Sequence, residues 1–215
     1  MTTYPLSLSL QNFMPVLLSA AALWNLVRML AHDGAAPARA AAVAALLIVA
    51  GGAMKALWKL AMTLWNIDAP LLSQSLFPLI APGFGMLALA LLRPTTRGIF
   101  AGALLIGAAA SSALLIAAAG ASMWKMPLLA LLTGSMVACA VGLVRRARAG
   151  RDRLSIALVL LYTVTSFGLS GLAAAGARTL ALQWTEQLVS TLGAAALLWA
   201  AVRMQRAVRN SETNT

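Results

Sequence analysis

Apolar residues arrive in long unbroken blocks rather than in stripes. Seven blocks can be marked: Phe13 to Leu30, Ala40 to Trp65, Leu71 to Leu92, Ile99 to Ala119, Met126 to Val144, Leu154 to Ala175 and Leu180 to Val202. Blocks of roughly 18 to 25 residues have the length a helix needs to cross a hydrocarbon core of about 30 Å. The amphipathic helices of a soluble protein would carry a polar face repeating about every 3.6 residues, and these blocks mostly do not. A transmembrane barrel would alternate apolar and polar residues over strands of about ten, and that pattern is absent too. Backbone amides in lipid must be satisfied within the segment, so each block is expected to be a helix. The predicted fold is all-α: a polytopic membrane bundle of seven transmembrane helices in one domain, 1–205, with a polar cytoplasmic tail over 206–215.

The connections set the expected orientation. Arg28 and Arg39 flank the first, Arg93 and Arg97 the third, and "RRARAGRDR" (Arg145 to Arg153) fills the fifth. Arg203, Arg206 and Arg209 follow the seventh block, whereas the opposite side offers only Lys125 and Arg178 outside the helices. Basic residues stay on the cytoplasmic side, so the N-terminus is expected outside and the C-terminus in the cytoplasm. The start, "MTTYPLSLSLQN", lacks the basic leader of a signal peptide.

The chain also repeats a pattern. "MPVLLSAAALWNLVRMLAHDGAAPARA" opens at Met14 and "MPLLALLTGSMVACAVGLVRRARAGRD" at Met126, each a Met-Pro, a helix and an arginine-flanked loop. "TLW" at Thr63 and "TLALQW" at Thr179 precede the last helix of each half. Units 13–93 and 125–203 joined by a single helix, 99–119, give a parallel 3+1+3 repeat, since one crossing helix restores the orientation of the second unit. This layout resembles that of the SWEET-type sugar transporters and of the bacterial vitamin transporters of the nicotinamide riboside class, in helix count, orientation and repeat. Neither a proline-glutamine loop pair nor an aromatic-rich binding motif is present, so no residue is carried over from either family.

Composition agrees with the pattern. The 215 residues are 61% hydrophobic and 10% charged, where a soluble domain is about half apolar and a quarter charged. A net charge of +11 would point to nucleic acid in a soluble protein. Here the basic loops lack interleaved aromatics, and they suit the anionic headgroups of a cytoplasmic leaflet instead. The Ala/Arg richness points to the cytoplasmic membrane of a GC-rich bacterium. One cysteine, Cys139, and one histidine, His32, leave no intrachain disulfide, no thiolate metal cluster and no plausible Ser-His-Asp hydrolase. No cofactor and no enzymatic activity are expected.

The exception to the apolar text is "GGAMKALWKLAMTLW", Gly51 to Trp65, with Lys55 and Lys59 one helical turn apart. Counted from Ala40, Lys55 lies roughly 22 Å along its helix and Lys59 about 28 Å. Trp58 and Trp65 mark the outer interface, where Lys59 can snorkel to the headgroups. Lys55 sits a turn deeper, where a lysine costs about 3 kcal/mol on insertion scales, so it calls for an aqueous cavity or an anionic partner. Of the 5 carboxylates, Asp68 and Glu186 are on the expected side. Polar clusters Ser73-Gln74-Ser75 and Thr185-Glu186-Gln187 occupy matching places in the two halves. As ordinary helix starts they would cap free amides. As a site, Lys55, Lys59, Gln74, Glu186 and Gln187 would converge on one substrate-binding pocket, with Pro78 and Pro82 kinking the third helix as a gate.

Tyr162, Thr163, Thr165 and Ser166 are weaker candidates for an interior path. The small-residue run "GAAASSALLIAAAG" in the fourth block offers a close-packing face, within the bundle or between copies in a homo-oligomer. The expected function is a permease or channel-like transporter of a small anionic or zwitterionic solute. The alternative is a non-transporting membrane sensor, assembly partner or lipid-contacting subunit.

Overall fold

The computed structural model describes residues 5–92, 102, 106, 107, 110–112, 114, 125–174 and 179–212. They form eight helices: α1 (Leu6–Gln11), α2 (Phe13–Ala31), α3 (Ala35–Trp65), α4 (Pro70–Gln74), α5 (Leu76–Leu92), α6 (Met126–Ala149), α7 (Arg153–Ala174) and α8 (Leu180–Glu212). Among the described residues, five spans are long and apolar enough to cross a membrane: Leu6–Ala31, Ala35–Trp65, Pro70–Leu92, Met126–Ala149 and Leu180–Asn210. A sixth apolar stretch, Arg153–Leu169, is shorter. The fourth predicted helix, Ile99 to Ala119, lies largely outside the described residues.

Sequence explains most of the breaks. Gly34 joins α2 to α3 at φ 129, a conformation that favours glycine. Asn66 ends α3 in the left-handed region at φ 52, and the amide of Ile67 reaches back to the Ala61 carbonyl at 3.5 Å. Asp152 opens α7 as a cap, accepting from the Ser155 amide at 3.2 Å and its hydroxyl at 2.6 Å. Pro78 has no amide proton to offer the Gln74 carbonyl, and the chain bends at Ser75, where α4 gives way to α5. The helix then runs through Pro82 unbroken. Thus the proline segment interrupts the third block near its start rather than in its middle. At the other end of the chain, α8 passes through Arg203, Arg206 and Arg209 to Glu212. The tail expected from residue 206 is therefore helical over its first part, because nothing in "RMQRAVRNSE" breaks a helix.

Among the eight helices above, the long ones pack in a ring of main contacts: α2 with α3, α3 with α5, α5 with α6, α6 with α7, α7 with α8, and α8 with α2. Close approach depends on small residues. A Cβ on Gly83 would meet Ile48 at 2.8 Å, and one on Gly142 would meet the Leu91 Cβ at 2.8 Å.

The main core lies toward the end where α2 meets α3 and α6 meets α7. It combines Leu26 and Leu30, Ala41 and Ala44, Ala90 and Leu91, Leu143 and Ala147, and Ala200 and Ala201. The outer perimeter is apolar: Leu46 is 72% exposed, Val164 68% and Trp24 63%. Such a surface is costly in water and ordinary against acyl chains. The described structure is that of a membrane-embedded helical bundle.

Candidate functional site

The end of the ring away from the core is hollow. A cavity of about 260 Å³ lies among α2, α3, α5, α7 and α8. Its wall takes Val16 and Ser19 from α2, Ile48, Val49, Gly52 and Lys55 from α3, and Ile80 and Phe84 from α5. Tyr162, Thr165 and Ser166 come from α7, and Gln187, Ser190 and Gly193 from α8. Each set recurs at helical spacing, which is why single faces of α3, α7 and α8 supply it. Gly193 lets α7 and α8 close the wall, since a Cβ there would stand 2.5 Å from the Thr165 hydroxyl oxygen.

Lys55 is the one charged side chain among the described residues that line this cavity. It lines the cavity and is itself exposed. Its ammonium makes no hydrogen bond or ion pair with a described residue. Lys59, one turn on, has a bonded partner instead. Its Nζ donates to the Asn12 side-chain oxygen at 2.9 Å, so it turns into the bundle and does not snorkel outward. The same oxygen accepts from Gln187 Nε2 at 2.8 Å, and the Asn12 amide group donates to the Leu8 carbonyl at 2.7 Å. Asn12 thus joins α3 to α8 from its place between α1 and α2. Two further bonds fix α1 over this end: Ser9 to Thr63 at 2.6 Å and Gln11 to Thr191 at 3.3 Å.

Of the residues singled out from sequence, Lys55, Lys59 and Gln187 come together here. Glu186 precedes Gln187 on α8 but is absent from the cavity wall. Gln74 does not join them. It is exposed on α4, one residue before the bend, and is absent from the cavity wall. Asp68 is also elsewhere, accepting from the Trp58 indole at 2.9 Å. Pro78 and Pro82 flank Ile80, which lines the cavity, but neither proline does so. Tyr162, Thr165 and Ser166 reach the wall, while Thr163 donates to the Val159 carbonyl at 2.8 Å.

Asn12 is the residue that sequence reasoning passed over, because the first apolar block was started at Phe13. An asparagine wedged between two helix-forming segments, "LSLSLQ" and "FMPVLLS", was the available signal. Among the described residues no cluster of His, Cys, Asp and Glu could hold a metal ion.

A second cavity of about 350 Å³ lies at the opposite end, lined by Met29, Arg146, Asp152 and Met204 among others. Its charges are already committed. Arg146 pairs with Asp33, and Arg203 grips both oxygens of Asp152 at 3.0 and 3.1 Å. The hollow end is therefore the better candidate.

No protein-family model, curated protein or solved structure matches the chain. The architectural likeness to sugar and vitamin transporters therefore carries no argument about a solute, and the site stands on its own geometry.

Proposed function

We propose that the chain is a small permease or channel-like transporter of the cell membrane, which binds a small anionic or zwitterionic solute in the central cavity. One observation carries this: a lysine with no bonded partner among the described residues lines a hollow of about 260 Å³ within a bundle of apolar helices. An ammonium at that depth is retained at a cost unless an anion or water meets it. The volume, slightly under the roughly 300 to 1,000 Å³ of drug-sized pockets, favours a small solute. Gln187 orients it beside Lys55, and Lys59 holds the wall through Asn12. The bend at Ser75, ahead of Pro78, supplies a hinge beside Ile80.

The ring is compatible with a duplicated origin, which the two Met-Pro openings at Met14 and Met126 suggest. Exchanging α2 with α6, α3 with α7 and α5 with α8 maps the ring of contacts onto itself. A linking helix over 99–119 completes the seven-helix, 3+1+3 layout. The arginine-rich end faces the anionic leaflet of the cytoplasm, and the hollow end faces outward. The function assigns the chain no catalytic step.

Osmotic swelling of proteoliposomes tests it. Vesicles holding the purified protein should admit at least one small carboxylate or amino acid faster than protein-free vesicles, and Lys55→Met should abolish the difference without lowering the melting temperature. Entry no faster than in protein-free vesicles across the panel, or full flux in the Met variant, would overturn it.

A second function has one observation in its favour. The Lys59–Asn12–Gln187 cluster is hydrogen-bonded across elements and ties α3 to α8, as a purely structural lock in a non-transporting subunit would. Stoichiometric co-purification of another membrane protein, with no flux, would favour that case.

A further inference from the structure

We infer that the solute is a small carboxylate with a hydroxyl or ammonium at its far end, an inference that rests on the solute-binding function proposed above. The cavity wall differs from one side to the other. Lys55 lines it from α3, and Tyr162, Thr165 and Ser166 line it from α7. In the ring of main contacts α3 and α7 stand on opposite sides, three steps apart by either route. The ammonium therefore lies across the hollow from the α7 hydroxyls.

Those hydroxyls are restricted in what they offer. Thr165 Oγ1 donates to the Leu161 and Tyr162 carbonyls, each at 2.9 Å, and Ser166 Oγ donates to the Tyr162 carbonyl at 2.8 Å. A hydroxyl has one proton and two lone pairs. With both protons committed to their own helix, the two oxygens meet the cavity as acceptors. The Tyr162 phenol can accept as well as donate, so that wall as a whole takes a donor. Lys55 is the reverse, an ammonium with protons and no lone pair. A solute lying across the hollow thus sets an acceptor against α3 and a donor against α7. Val16, Ile80 and Phe84, from the intervening α2 and α5, suit a short methylene spacer. A plain carboxylate would put a methyl group against Thr165 and Ser166, displace their water and leave both acceptors unpaired. A donor attached next to the carboxylate stays on the Lys55 side and relieves nothing.

The test uses the full chain in detergent at fixed ionic strength, following tryptophan fluorescence on heating to obtain apparent Kd values. The probes differ in the place of one donor. Propionate and butyrate have none, lactate and alanine have it beside the carboxylate, and β-hydroxypropionate, β-alanine, γ-hydroxybutyrate and γ-aminobutyrate have it at the far end. At one chain length or both, a far-end donor should tighten binding at least about fivefold over the plain carboxylate and over the near-end isomer. An advantage in the hydroxyl or the ammonium series supports the inference, and the stronger series identifies the donor. Thr165→Val with Ser166→Ala removes both acceptors and only bonds within one helix turn, and the advantage should shrink to less than about twofold. Thr165→Ser keeps an acceptor and should keep the advantage.

Equal binding of far-end, near-end and plain carboxylates by the parent would overturn the inference and leave the cavity as a carboxylate site. A far-end advantage that survives intact in Thr165→Val with Ser166→Ala would overturn it as well. Failure of every probe to bind the parent, or undiminished binding to Lys55→Met, would remove the binding site itself and the inference with it.

Discussion

The two ends of the bundle are written in the same alanine- and leucine-rich text and solve opposite problems. Toward the α2–α3 and α6–α7 connections, Leu26, Ala41, Ala44, Ala90, Ala200 and Ala201 are fully buried. There small side chains let helices approach closely, and attraction comes from dispersion summed over many contacts. Charge at that end is moved to the surface and paired, as Arg146 with Asp33 and Arg203 with Asp152. At the hollow end the order is reversed. A charge stays inside, and neutral groups arrange themselves around it, with Asn12 bonded to both Lys59 and Gln187. A membrane bundle that only needed to be stable would repeat the first solution throughout. Under the proposed function, keeping the second makes that end the working one.

The sharpest way to break this contrast is Asn12→Leu. Asn12 is 8% exposed and Gln187 9%, so the substitution strands a buried amide donor and an ammonium at once. Each unsatisfied buried donor costs about 1–3 kcal/mol, more when charged, and a loss of about 3 kcal/mol is expected in SDS-titration unfolding read by tryptophan fluorescence. Asn12→Asp keeps the acceptor and should recover most of that loss. A deficit below about 0.5 kcal/mol for the Leu variant, typical of a plain surface change, would mean that the cluster holds nothing together. A smaller effect is expected at Gly193, where α8 meets α7. Gly193→Ala should cost about 1–2 kcal/mol by overpacking against Thr165. Thr165→Ala removes the oxygen that the new Cβ would strike at 2.5 Å, so the double variant should recover more than half of the loss. Full additivity of the two changes would place the contact elsewhere.

The packed end was the more legible in sequence, for a physical reason. Lipid forces every spanning backbone into helix, so long apolar blocks announce their own structure, and glycine or aspartate at a break announces the turn. Gly34 and Asp152 behave as their chemistry dictates. The hollow end depends on which face of each helix turns inward, and blocks that are apolar all round carry little information about that. Lys55 and Gln187 were detectable because a polar group in such text is expensive wherever it points. Gln74 is polar too but sits at an exposed bend, where its cost is low. Hence a match in sequence position did not bring it to the cavity. Asn12 escaped because the start of a helix is the least certain feature of an apolar pattern, and its role needs two partners distant in sequence, Lys59 and Gln187.

The smallest expected effect lies at the packed end and is the one that salt and pH can separate from the rest. The Arg203 guanidinium, with help from the Ser155 hydroxyl and amide, holds the Asp152 carboxyl down from an ordinary 3.8 to about 2. A depressed carboxylate stabilises the fold fully above its ordinary value, and loses that contribution as pH falls through about 3.8 toward about 2. Arg203 is 41% exposed, so solvent screening keeps the contribution of the pair small. Asp152→Asn should therefore lower the melting temperature slightly at pH 7, and the gap to the parent should close as pH falls through that window. Raising ionic strength should shrink the same gap, because an exposed pair is screened over a Debye length of about 10 Å at 0.1 M salt. The Asn12→Leu deficit should persist at high salt, since it comes from lost hydrogen bonds inside the ring. If salt instead reduced the Asn12→Leu deficit and left the Asp152→Asn gap intact, the assignment of paired surface charge to one end and enclosed charge to the other would be reversed.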